Sequence, residues 1–190
     1  MRLVVAALFM ALACFPVCAD DKLVVAAEVL GRTPSDLPIE RVRMKAMPVA
    51  VQKVEGQLAD APKDLPKAIN ALKAKLGAKN IEIADVPLVE FKTATEKTYT
   101  ASILLPLVER PKEPDQGIEL DQFYGGKALR ITHKGPLEKL EDTYFELQTF
   151  VEDGDFEIQD TTVERYLTDP STTAPDDMVT EVYLLLKDQK

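Results

Sequence analysis

The sequence predicts an α+β domain: duplicated β-α-β-β units forming a mostly antiparallel sheet backed by two helices, with a ligand groove between the halves. Three observations carry this prediction. Several segments alternate apolar and polar residues, as half-buried strands do, and two others repeat apolar residues at three- and four-residue steps, as amphipathic helices do. The order of these segments in the first half recurs in the second at an offset of about 80 residues. Each strand that leads into a helix ends at a glycine, Gly56 in one half and Gly135 in the other.

A leader comes first. Arg2 gives it a basic start, Leu3 to Phe15 are apolar but too few to span a bilayer comfortably, and Val17-Cys18-Ala19 places small residues at a cleavage site. A signal peptide over residues 1–19 is expected, making the protein exported, periplasmic or secreted. The alternative is a lipoprotein acylated on Cys14. Both cysteines, Cys14 and Cys18, lie in this leader, so the exported chain has no disulfide framework and depends on its core. Residues 20–41 read as an N-terminal extension and residues 42–190 as the domain, with repeats at about 42–109 and 118–187.

In the first repeat, Pro48 to Gly56 alternates as a strand. Leu65, Ile69, Leu72 and Leu76 then mark a helix that stops at Gly77. Val86 to Thr93 and Tyr99 to Val108 read as two further strands. The second repeat follows a polar linker, Arg110 to Gly117. Its strand runs Lys127 to Gly135, and its helix carries Leu137, Leu140, Tyr144, Leu147 and Val151, with Pro136 suited to the first turn. Thr162 to Leu167 and Val179 to Lys187 are its last strands. Pairing Thr100 with Thr180 makes Ala101 the counterpart of Glu181.

The formal net charge of −9 argues against nucleic acid and anionic membrane as partners. No glycine-rich loop follows a strand in a phosphate-binding pattern. His133 is the only histidine, so imidazole and thiolate metal sites lack ligands, and no metal or cofactor is expected. His133 itself reads as a solvated strand end beside Lys134.

The chemically informative residue is Glu181. It lies in Val179-Thr180-Glu181-Val182-Tyr183-Leu184-Leu185-Leu186, where alternation puts Val179, Glu181, Tyr183 and Leu185 on one face. A carboxylate among apolar neighbours needs a partner. Either an arginine such as Arg130 or Arg165 neutralises it, or the face is a pocket for a ligand.

Tyr166-Leu167-Thr168-Asp169-Pro170 followed by Thr180-Glu181-Val182-Tyr183 resembles the signature of the GyrI-like effector-binding family. Gly125-Gly126-Lys127-Ala128 and His133-Lys134-Gly135-Pro136 extend the resemblance upstream, over roughly residues 42–187. Leu137 departs from it, standing where the family often has an aromatic residue. The resemblance implies a duplicated β-α-β-β fold and a small-molecule-binding role, as in multidrug-sensing regulators, and it allows a hydrolase. It implies a pocket glutamate at Glu181 facing lipophilic or cationic ligands, with aromatic walls at Tyr183, Tyr166 and Tyr144. The expected function is that of an exported, stand-alone binding domain without a DNA-binding module. Three alternatives stay open. One is a hydrolase of reactive small molecules using Glu181 with a pocket tyrosine. Another is a haem or tetrapyrrole binder, because the SOUL family resembles the same duplicated fold. The last is a partner-binding envelope protein with an empty pocket.

Overall fold

The computed structural model describes residues 39–112, 117–154 and 156–187. The leader, Cys14 and nearly all of the N-terminal extension lie outside them. The strands are β1 (Glu40–Met44), β2 (Met47–Gln57), β3 (Leu88–Ala94), β4 (Thr98–Pro106), β5 (Glu119–Phe123), β6 (Gly126–Lys134), β7 (Ile158–Tyr166) and β8 (Val179–Leu186). The helices are α1 (Ala61–Gly77) and α2 (Leu140–Asp153). Pro136 precedes a single 3-10 turn, Leu137–Lys139, rather than opening α2 itself.

All eight strands join one antiparallel sheet in the order β1-β6-β8-β7-β3-β4-β2-β5. The expected repeat is there, but each unit has one more strand than the sequence reading assigned, and those strands are exchanged. β1, from the first half, pairs with β6 of the second, and β5, from the second half, pairs with β2 of the first. Both β1 and β5 alternate, as in Glu40-Arg41-Val42-Arg43-Met44, but they are too short and too charged to stand out beside the long strands.

The exchange forces the sheet to curl. β1 and β2 are six strand spacings apart in the sheet order, about 29 Å in a flat sheet at ~4.8 Å each. Only Lys45 and Ala46 connect them, a link that reaches about 10 Å. The link Tyr124–Gly125 bridges the same number of spacings between β5 and β6. The two ends must therefore meet, which makes a half-barrel. Register shifts at Phe91/Thr93 in β3 and Ile158/Thr162 in β7 add local bend. At the crossing of the two links, a Cβ on Gly125 would lie 2.3 Å from the Met44 carbonyl oxygen, and Gly125 has φ +67. Only glycine fits there.

The curl gives the sheet an inner and an outer face. On the outer face, Leu65, Ile69, Leu72 and Leu76 of α1 and Leu140, Leu147 and Val151 of α2 pack on Ile103, Leu105, Leu129, Ile131, Val182 and Leu184. On the inner face, Val49, Val51, Leu88, Leu104 and Phe123 meet Ala128, Val163, Tyr183 and Leu185 from the other half.

Faces also correct the repeat correspondence. Ala101 lies in the outer core with Ile103, whereas Glu181 shares its strand face with Tyr183 and Leu185 of the inner core. A twofold axis through the sheet cannot exchange faces, so Ala101 is not the counterpart of Glu181. Ser102 is, because it pairs with Lys53 and Glu90 and stands two residues from inner-face Leu104. The equivalence of Gly56 with Gly135 is retained by this register, and Leu104 then matches Tyr183.

Candidate functional site

Glu181 is 5% exposed and sits at the centre of a chain of ion pairs on the inner face. β6 and β7 flank β8, with Thr132 and Arg165 directly opposite Glu181 and Arg130 opposite Tyr183. That register brings a guanidinium from each side. Arg130 Nη1 donates to Glu181 Oε1 at 2.9 Å, and Arg165 Nη1 donates to Oε2 at 3.0 Å. The Tyr183 hydroxyl, two residues along the same face, donates to Oε2 at 2.6 Å. Burial, and then this bond to a carboxylate, raise the Tyr183 pKa.

Each arginine reaches outward with its second nitrogen. Arg130 Nη2 pairs with Glu40 on β1, and Arg165 Nη2 donates to both oxygens of Asp85 at 3.0 and 2.8 Å. The outer acids are exposed, with side-chain values of 44% and 45%, while the Glu181 side chain is at 7%. The energetics differ accordingly. Exposed ion pairs contribute about 0–1 kcal/mol. Stripping a buried charge of its partner costs about 3–5 kcal/mol. The inner links are the strong ones.

Of the two alternatives the sequence left for Glu181, the structure realises the paired one, and with both arginines at once. Tyr183 joins Glu181 as expected. Tyr166 and Tyr144 do not: they face the other side of the sheet, where they enclose a second acid, Glu164. The Tyr144 hydroxyl donates to Glu164 Oε1 at 2.7 Å and the Tyr166 hydroxyl to Oε2 at 2.6 Å. Glu164 is 4% exposed, and its pKa is raised because burial outweighs the two phenol bonds. Both phenols are held well above their ordinary value, by burial first and then by the Glu164 charge. The sequence reading missed Glu164, although its signal was present: in a strand it must share a face with Tyr166.

His133 is also corrected. It is 8% exposed and packs under α2 rather than standing in solvent. Nε2 contacts the Pro136 carbonyl at 3.1 Å, so it carries a proton, and Nδ1 lies 2.8 Å from the Thr143 hydroxyl. Both ring nitrogens are thus engaged, which is a poor arrangement for an iron ligand. Among the described residues, no cluster of three His, Cys, Asp or Glu could hold a metal, and no buried side-chain polar atom lacks a partner.

Comparison with known proteins bears on the fold. The description "GyrI-like small molecule binding domain" matches residues 37–187. No curated protein sequence matches the chain. Among solved structures, EcmrR in a DNA complex is similar at a TM-score of 0.74 and 14% identity, covering 89% of this chain. This chain spans 66% of that EcmrR chain. The crystal structure of the EcmrR C-terminal domain matches at a TM-score of 0.68 and 16% identity, covering 80% of this chain and 99% of that one. SAV2435 bound to tetraphenylphosphonium matches at 0.57 and 8% identity, covering 78% and 93%. At these identities the likeness is one of fold.

Proposed function

The chain belongs to the family of GyrI-like small molecule binding domains, and we propose that it binds a lipophilic small molecule at the rim of the inner sheet face, beside Glu181 and Tyr183. The observation that carries this reading is the buried, polar-anchored Glu181 and Tyr183 beside the apolar cluster of the inner face. Partly exposed Val42, Met44 and Met47 continue that apolar surface toward the crossing links. Methionines adapt their shape to varied ligands at little cost. The lipophilic ligand seen on SAV2435, a protein of similar fold, supports the same ligand class.

A catalytic use of Glu181 has less support. Its two oxygens already accept three donors, which leaves a single lone-pair site, on Oε1, to take a proton from water.

The test uses the neutral fluorescent probe N-phenyl-1-naphthylamine. Its emission should rise on binding, and the Tyr183 ring resonances should move while those of Tyr166 stay put. A probe that leaves Tyr183 unmoved would remove this reading.

The proposal includes export. The mature chain should begin at Asp20, as read by terminal sequencing of protein recovered outside the cytoplasm. An intact Met1 in that fraction would count against it.

A further inference from the structure

We propose that the ligand of this site carries an anionic head, a carboxylate or its equivalent, held by Arg130 and Arg165. This rests on the binding reading above and gives its ligand a charge. It reverses the preference expected from a lone pocket glutamate.

Charge order favours an anion. Along the sequence Glu40–Arg130–Glu181–Arg165–Asp85, the three inner groups sum to one positive charge. The two outer acids sit at the exposed rim. A cation approaching Glu181 would find both carboxylate oxygens occupied by two guanidinium groups and a phenol. To reach the charge it would have to strand a half-buried arginine, which is the expensive exchange. An anion faces a different situation. The outward nitrogens of both arginines are bound only by exposed acids, whose hold is weak and screened. A ligand carboxylate can replace Glu40 or Asp85 while the inner links stay intact. Arg165 Nη2 alone already meets both oxygens of one carboxylate, that of Asp85, and a ligand carboxylate can take the same place. The apolar tail of the ligand then lies along Val42, Met44 and Met47. In this arrangement Glu181 is a positioning residue that holds both guanidinium groups in place.

The test compares decanoate with decyltrimethylammonium, which share a tail length and differ in the sign of the head. The overall charge of −9 favours the cation everywhere except at a site built otherwise. Decanoate should bind at least tenfold tighter, with the Tyr183 resonances as reporter. The decisive variant removes the competing rim acids. In Glu40→Gln/Asp85→Asn, where both changed residues are exposed, decanoate should tighten several-fold and decyltrimethylammonium should not. Tighter binding of the cation by the native chain overturns the anionic head while leaving the binding reading standing. So does decanoate affinity that is unchanged or weaker in the double variant. If neither compound moves Tyr183 while N-phenyl-1-naphthylamine does, the anionic head falls and the binding reading stands.

Discussion

Glu164 and Glu181 lie on adjacent strands of one sheet, on opposite faces, and are held by different chemistry. Glu181 is opposite Arg165, and Glu164 is the residue just before it. Glu181 is met by two guanidinium groups and a phenol, whereas Glu164 is met by two phenols and no positive charge. Pairing neutralises the first; burial raises the pKa of the second.

The pH dependence of stability should therefore carry a Glu164 signature. Its folded-state pKa is raised above the ordinary 4.5, so its favourable contribution is complete below that value and is lost as pH rises through the folded value. Urea unfolding measured from pH 4 to 8 should show this loss in the native chain. In Glu164→Gln, which cannot ionise, the slope should flatten. Parallel curves for the two proteins would locate the effect elsewhere.

Removing one phenol leaves Glu164 with half its donors. Tyr144→Phe and Tyr166→Phe should each lower stability by about 1–3 kcal/mol, the cost of an underpaired buried acceptor. Neither should change binding at Tyr183, because both lie on the other face of the sheet. Denaturant titration and the ligand titration together separate the two effects.

Glu181→Gln should be destabilising by about 3 kcal/mol, since it leaves two half-buried guanidinium groups with exposed partners alone. Tyr183→Phe removes one charge-assisted bond and should cost about 1.5 kcal/mol. The order of these two losses in urea unfolding is the check.

Gly125→Ala and Gly126→Ala should differ in kind. Both glycines have positive φ, +67 and +136, so each substitution carries backbone strain of about 1–3 kcal/mol. Only at Gly125 does the new Cβ meet backbone, the Met44 carbonyl oxygen at 2.3 Å; at Gly126 nothing lies within 4 Å. Gly125→Ala should therefore disrupt the crossing of the two links and with it the half-barrel, while Gly126→Ala folds with reduced stability. Melting temperatures of the pair provide the comparison.

The β7–β8 loop is tied to α1 by Asp169, which accepts from Ser171 and from Lys73 Nζ at 2.9 Å. The Ser171 bonds first and the lysine second hold its pKa at about 2, below the ordinary 3.8. The contribution is present above 3.8 and disappears as pH falls through 2. The carboxylate is 37% exposed, so the global effect is small. Amide exchange should show it best: Asp169→Asn should speed exchange at Leu167 and Thr168 near neutral pH, and native and variant rates should converge at the acid end.

Much of the fold was legible because its signals are local. The helical stripes of Leu65 to Leu76 and Leu140 to Val151 appear where the residue spacing puts them, and the long strands begin and end within a few residues of their expected bounds. β1 and β5 escaped notice because five residues rich in charge carry little periodic signal. Their exchange between halves is not a local property at all.

For the site, the sequence alone determined what happens within a strand. It put Glu181 with Tyr183 on one face, showed that a carboxylate there needs a partner, and identified Arg130 and Arg165 as candidates. It could not say which faces of different strands coincide. That depends on inter-strand register, which is set by distant pairings such as Arg165 with Glu181 and Val89 with Glu164. A slip of one residue reverses every side chain. The tertiary structure therefore decided that Tyr144 joins Tyr166 on Glu164, that Ser102 rather than Ala101 mirrors Glu181, and that both arginines converge on one carboxylate.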